Sequence, residues 1–356
     1  MNRKEFLQSV AGGTLALAGA SCASLSNIGP RPPLAVSAAT FMVRGRLSRK
    51  PQPQGVPVFR DPLHVLDYSH GLGAGGAQIG VSDWTEPGMA RRVRAKAEEL
   101  GMSLEGQIGL PKTEAATDDF ERSLQAAKEA GVSILRTVML GSRRYETFKT
   151  RADWEQHRKN SWTWLTRAEG LVRKHGLKLA VENHKDWRID DMVGLLRRLS
   201  SEHVGVNLDT GNNISLLEDP LRVVRELAPW SFTVHLKDMG VAEYEDGFLL
   251  AEVPFGEGFL DVHEMVRVCR RANPRIQFNL EMITRDPLLV PCLTKAYWET
   301  WSRPDGEALA ATLERVRRNS AKKELPRISH LSKVEQVRVE EENNQRCFAW
   351  WNEKIV

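Results

Sequence analysis

Lys178-Leu-Ala-Val-Glu-Asn-His-Lys-Asp186 decides the reading of the fold. A short apolar core, Leu179 to Val181, runs directly into five polar or charged residues. Just before it, Arg173-Lys-His-Gly-Leu-Lys-Leu179 closes a helical segment on a glycine and needs only one more residue, Leu177, before the strand starts at Lys178. A helix end, a tight glycine connection and a brief strand that stops in reactive side chains form one unit of a parallel sheet with crossover helices.

The unit repeats in both directions. Downstream lie Asn207-Leu-Asp-Thr-Gly-Asn212, Val234-His-Leu-Lys-Asp238 and Asn279-Leu-Glu-Met282. The full set of strand candidates is Leu34 to Phe41, Ala77 to Gly80, Ser103 to Ile108, Ser133 to Met139, Lys178 to Glu182, Val204 to Leu208, Phe232 to Leu236 and Gln277 to Glu281. Helical periodicity fills the gaps at Pro62 to Leu72, Pro87 to Leu100, Asp118 to Ala130, Asp153 to His175, Ile189 to Leu199, Pro220 to Leu227 and Asp261 to Ala272. Asp219-Pro220 supplies an N-cap with proline at the first helical position, and Gly101, Gly131 and Gly176 stand where C-terminal glycines belong. Arg44 to Val56, basic and rich in Pro and Gln, reads as a long loop.

Eight such units close into a (β/α)8 TIM barrel of the α/β class more naturally than they extend an open sheet. A doubly wound sheet is the alternative, but its GxGxxG phosphate loop is missing after the first strand. Gly71-Leu-Gly-Ala-Gly-Gly76 follows a helix and precedes a strand, which suits a C-cap and tight turn.

The chain of 356 residues is 41% hydrophobic and 27% charged, enough for one large core. The expected organisation is a signal peptide over 1–22, a linker over 23–33, the barrel over 34–302 and a C-terminal helical extension over 303–356. Met1-Asn-Arg-Lys-Glu-Phe-Leu7 followed by the Ala/Gly/Leu run from Val10 to Ala20 has the charged-then-apolar layout of an export signal, too short to span a bilayer. It is similar to a twin-arginine signal with Lys4 in the second position, so a periplasmic location is expected, with lipid attachment at Cys22 as the less favoured alternative. Cys269, Cys292 and Cys347 lack metal-ligand spacing and read as buried, reduced thiols. The formal charge of +4 falls in clusters such as 90–96 and 315–323 that read as solvated helix faces, so no nucleic-acid partner and no membrane span are expected.

In a parallel barrel, chemistry gathers at the C-terminal strand ends. Glu182, Asp209, His235 and Glu281 come from four successive strands of the last half and can converge on one point. Taken singly, a carboxylate ending a strand is usually a cap or an ion pair, and a strand histidine a core residue; their repetition in phase is what suggests ligation. Three carboxylates and one imidazole suit one divalent ion in an open site, Mn2+ first, with Mg2+, Co2+ or Zn2+ as alternatives.

The motifs ENHKD, LDTGN, HLKD and NLE resemble those of the xylose-isomerase-like barrel superfamily of sugar phosphate isomerases and epimerases, over about residues 34 to 300. The resemblance implies that Glu182, Asp209, His235 and Glu281 hold the ion. It also implies that a ketose carbonyl completes its shell and that Glu182 and Glu281 form the acid/base pair for proton abstraction beside the metal-bound carbonyl, through an enediolate. Sugar 3-epimerases of the family carry a histidine three residues after the aspartate, where this chain has Asn212, an amide that cannot relay a proton. His184, Lys185 and Lys237 stand beside ligand positions and could bind substrate or protonate a leaving oxygen; Gln107, Arg136, Trp187 and Arg188 are further substrate-side candidates. Gly256-Glu-Gly-Phe-Leu-Asp261 resembles the family's closing loop and equally reads as a glycine turn capped by Asp261.

The expected function is thus a metal-dependent sugar isomerase or epimerase. The runner-up is a lyase or dehydratase that eliminates a group from a 3-keto-glycoside or related ketone on the same barrel, and the alternative of another class is a non-catalytic sugar-binding barrel. DNA repair of the endonuclease IV type is disfavoured because the second and third strands end in Gln78-Ile-Gly and Gln107-Ile-Gly rather than in histidines. The expected partner is a small sugar or keto-glycoside, with a homo-oligomer left open.

Overall fold

The computed structural model describes residues 32–49, 55–320 and 324–355. The signal peptide, Cys22 and nearly all of the linker lie outside them.

Eight parallel strands close into the expected barrel. Its members are β1 (Leu34–Ser37), β2 (Gly76–Gly80), β3 (Ser103–Gln107), β4 (Ile134–Thr137), β5 (Lys178–Glu182), β6 (Val204–Asp209), β7 (Ser231–Leu236) and β10 (Gln277–Leu280). The order around the barrel is β1-β10-β7-β6-β5-β4-β3-β2. Helices pack outside it, and their ends follow the local chemistry. Asp61, Thr150 and Asp219 each accept the backbone N–H three residues on, while Gly101, Gly131 and Gly176 adopt positive φ at the helix exits.

Two features differ from the sequence expectation. The helix Met42–Leu47 takes up the start of Arg44 to Val56, the stretch expected as loop, with Val43 and Arg44 buried. Its cap comes from far along the chain: Glu340 accepts the N–H groups of Val43 and Arg44, and the Arg44 guanidinium stacks 4.2 Å from the Tyr68 ring. A cap supplied from some 300 residues away leaves no local signature. The first strand is correspondingly shorter, because Ser37 Oγ accepts Ala39 N–H and turns the chain into Ala38–Phe41.

The second difference is a three-stranded sheet beside the barrel, formed by β8 (Asp238–Tyr244), β9 (Gly247–Val253) and β11 (Leu288–Val290). The hairpin turns at Glu245-Asp246, with Gly247 at φ 150 pressed against the backbone of Val290. Asp238 carries the base of this insertion. Its carboxylate accepts N–H groups of Met239, Gly256, Gly258 and Leu260, so the 256–260 loop is tied to the strand-seven exit, and Asp261 caps the next helix. A side chain at Gly258 would collide with that carboxylate.

The C-terminal extension is a helix at Gly306–Asn319 and a capping-box helix at Lys333–Lys354, longer than the expected charged segment through Glu342. Trp351 packs on Phe278 of β10, and Trp350 lies against Phe255. Among the described residues, Cys269, Cys292 and Cys347 are free and buried. Among the described residues no helix is long and apolar enough to cross a membrane.

Candidate metal centre

The barrel interior is polar where an ordinary barrel would be filled by branched aliphatics. Thr233 and His235 on β7 reach Glu105 on β3 and Gln78 on β2, strands that are not neighbours in the sheet, so these bonds cross the lumen. Glu105 Oε2 accepts from Gln78 Nε2 at 2.9 Å, Thr233 Oγ1 at 2.7 Å and Asn279 Nδ2 at 3.1 Å. Burial raises the Glu105 carboxyl and these three donors partly offset it.

Above this floor sit Glu182, Asp209, His235 and Glu281, all buried, each offering a ligand atom within 4.8 Å of the others. Strand register brings them together: Asp209 pairs directly with His235, Glu182 ends β5, and Glu281 follows β10 with its N–H on Leu236 O.

Each ligand is oriented by a partner of its own. Asp209 Oδ1 accepts the N–H groups of Gly211 and Asn212 at 2.9 and 2.8 Å, leaving Oδ2 for the centre. Glu182 Oε1 accepts from Asn212 Nδ2 at 3.0 Å and Oε2 from Arg136 Nε at 2.6 Å. Because Gln78 gives its NH2 to the Glu105 carboxylate, its carbonyl must face His235 Nε2, 2.7 Å away, which therefore carries the proton. His235 Nδ1 is left with its lone pair toward Glu281 Oε1 at 3.0 Å and Glu182 Oε2 at 3.4 Å.

Such an arrangement needs a cation. His235 Nδ1 is buried without a hydrogen bond among the carboxylates of the group, whereas Asp209 Oδ2 has the Lys237 ammonium at 2.8 Å. An acceptor nitrogen set against carboxylate oxygens is repulsive until a proton or a metal ion lies between them. Burial opposes an imidazolium, yet the Glu281 and Glu182 carboxylates outweigh it and raise His235 to about 9. The donor set, three oxygens and one nitrogen with a buttressed imidazole, fits one divalent ion.

Lys237 supplies positive charge at the same place. Its ammonium lies 2.8 Å from Asp209 Oδ2, 3.9 Å from Glu252 Oε1 and in contact with Glu281 Oε2. Burial pushes Glu281 up, but Lys237 and His235 hold it well below the usual carboxylate range; Asp209, sharing that ammonium, is raised to about 7 by burial and the neighbouring glutamates.

The other sequence candidates separate into two groups. Arg136, Lys185, Asn212 and Lys237 are at the centre, where Asn212 Oδ1 accepts from both lysines. His184 stands beside them with Nδ1 buried and unbonded, drawn down to about 3 by burial and Lys185. Gln107 instead donates to Ser37 Oγ and Gln78 Oε1, one bond removed from His235. Trp187 is buried in the helix layer against Trp154 and Arg158, away from the ligand cluster, and Arg188 pairs with Glu218 and Asp305. Sequence reasoning missed Gln78, Glu105, Asn183, Glu252 and Arg285. Asn183 ties the β5 exit to β6 by exchanging bonds with the Asp209 backbone, and Arg285 pairs with Glu252 from the unexpected hairpin. Gln78 and Glu105 carried a usable signal, Glu105 as a strand residue in phase with Gln107 and Gln78 as its partner on the neighbouring strand.

Comparison with known proteins agrees with this architecture. The chain is 26% identical over 244 residues to 3-oxo-isoapionate decarboxylase of Pectobacterium atrosepticum, covering 66% of this chain and 81% of that protein. In fold it is similar to a xylose isomerase-like TIM barrel protein from Mycobacterium smegmatis crystallised with magnesium (TM-score 0.53, 16% identity, 80% and 97% of the two chains). It is also similar to 3-keto-D-glucoside 4-epimerase from E. coli (TM-score 0.52, 15% identity, 80% and 99%). The family described as xylose isomerase-like TIM barrel matches residues 68–318, spanning the barrel from the helix before β2 past β10, and the chain belongs to that family.

Proposed function

We propose that this protein is a divalent-metal-dependent enzyme that moves a proton at the carbon beside a carbonyl of a keto sugar, as an isomerase or epimerase. The observation that carries the reading is the buried, unbonded acceptor His235 Nδ1 set among three carboxylates. A divalent ion bound there supplies a Lewis acid for the carbonyl oxygen. Glu182 and Glu281, from β5 and after β10, flank the substrate carbon and take up or return its proton. Arg136 and Lys237 stabilise the negative charge that builds on the substrate oxygens, and burial strengthens both effects by excluding water.

A specific feature favours elimination or decarboxylation as the second reading. Arg136 and Lys237 engage both glutamates, which weakens them as bases, and Asn212 offers no proton relay. Loss of carbon dioxide needs no base at carbon, and elimination, which starts with the same proton abstraction, adds the need for an acid at the leaving oxygen, a role open to Lys185.

The deciding experiment incubates Mn2+-loaded protein with candidate ketoses, 3-keto-glycosides and 3-keto acids in D2O. Deuterium in an isomerised sugar supports the first reading; release of an aglycone, water or carbon dioxide supports the second. Glu281→Gln is expected to bind Mn2+ at least 100-fold more weakly, and full binding by that variant would remove the metal centre and both readings with it.

A further inference from the structure

We infer that the substrate is an acid, and that Lys185 binds its anionic group, a carboxylate or a phosphate, beside the metal centre. The inference rests on the reading above and adds the substrate class. Around the cluster, the other three cations each have a carboxylate partner. Arg136 pairs with Glu182, Lys237 with Asp209 and Glu281, and Arg285 with Glu252. Lys185 is the exception. It is 3% exposed, and among the described residues its ammonium has no carboxylate within ion-pair distance, only the neutral Asn212 Oδ1.

A lysine that deep in a protein is normally paired, because an uncompensated buried charge is strongly unfavourable. Asn212 cannot be the compensation: its carbonyl is shared with Lys237 and its NH2 is given to Glu182 Oε1 and Asn183 O. Lys185 and Lys237 thus lean on one oxygen, and a ligand anion relieves their repulsion. Burial first, then the Lys237 ammonium, draws Lys185 down to about 8, so it still carries its charge near neutrality. A divalent ion at the four ligands adds further positive charge to a set whose carboxylates are already taken, which sharpens the demand for an anion.

The placement is also useful. Asn212 links Lys185 on one side to Glu182 on the other, so an anion held by Lys185 lies next to the carbonyl end of the substrate rather than at a remote anchor. Charge-assisted bonds to a carboxylate or phosphate oxygen are short and directional, and they fix which carbon faces Glu182 and Glu281.

The test is calorimetric titration of the purified protein, metal-stripped and Mn2+-loaded, with three probes: D-gluconate, D-fructose 6-phosphate and D-fructose. The expected result is at least tenfold tighter binding of one anionic probe than of D-fructose. A preference for gluconate identifies a carboxylate, and a preference for the phosphate ester identifies a phosphate. Lys185→Met should abolish the preference and Lys185→Arg should keep most of it, with Mn2+ affinity within about threefold of wild type in both. Equal binding of all three probes, binding of none at millimolar concentration, or a preference that survives in Lys185→Met overturns the inference. The wild-type comparison needs no variant to fold. A protein that binds no Mn2+ refutes the metal reading instead, and the anion preference of the stripped protein still reports on Lys185.

Discussion

Replacing Lys237 by methionine tests whether its ammonium stands in for part of the charge of a metal ion. In metal-stripped protein that ammonium neutralises Asp209 and Glu281, both buried. Removing one partner of a buried pair costs about 3–5 kcal/mol, the lower end applying here because Asp209, already raised to about 7, can take up a proton. A chain of this length has an unfolding entropy of roughly 0.7 kcal/mol/K, so the melting temperature in EDTA should fall by about 4–7 °C. Saturating Mn2+ narrows the deficit. At one free Mn2+ concentration about a thousandfold above the wild-type Kd the ion contributes about 4 kcal/mol to the wild type, and the variant, relieved of a like charge at the site, should bind at least tenfold more tightly and gain about 1.4 kcal/mol more. The measurement is scanning calorimetry of wild type and Lys237→Met in EDTA and in Mn2+, with Mn2+ titrations of each. A Lys237→Met protein that melts with wild type in EDTA, or whose deficit persists undiminished in saturating Mn2+, refutes this role of the ammonium.

Two further predictions concern groups outside the ligand set. Gln78→Leu removes the acceptor that fixes His235 Nε2–H, so Mn2+ affinity should drop about 10–100-fold although no ligand is altered; an unchanged Kd would show that the imidazole is oriented by other means. His157, stacked on Trp154 and bonded to Ser161, is held down to about 4 by burial, below its ordinary 6.5. Between those values the unfolded chain binds a proton that the native protein refuses, so this stability is intact above pH 6.5 and is lost as pH falls toward 4. His157→Gln should flatten that acid limb of the melting curve against pH; an identical limb in the variant would count against the assignment.

The strand and helix pattern around 178–186 was enough to place the barrel, since each unit carries its own period, cap and glycine stop. The four ligand candidates were legible for the same reason: each directly ends or follows an apolar strand run. The hairpin of β8 and β9 was not, although its Glu245-Asp-Gly247 turn lies between apolar runs, because nothing in the strand-seven exit announces that the chain will leave the barrel before returning as a helix. With it went Glu252, and with Glu252 the pairing of Arg285.

What the sequence determined by itself is therefore periodic and local: eight parallel strands, their order, and which residues stand at their C-terminal ends. The tertiary structure alone decided the charge pairing. Whether a lysine beside a ligand is neutralised depends on which side chains reach it across the lumen, and that is set by strand register and by elements as far apart as β5 and β9. Thus Lys185 and Lys237, indistinguishable in sequence, separate in the folded protein into one ammonium held by two carboxylates and one held by none.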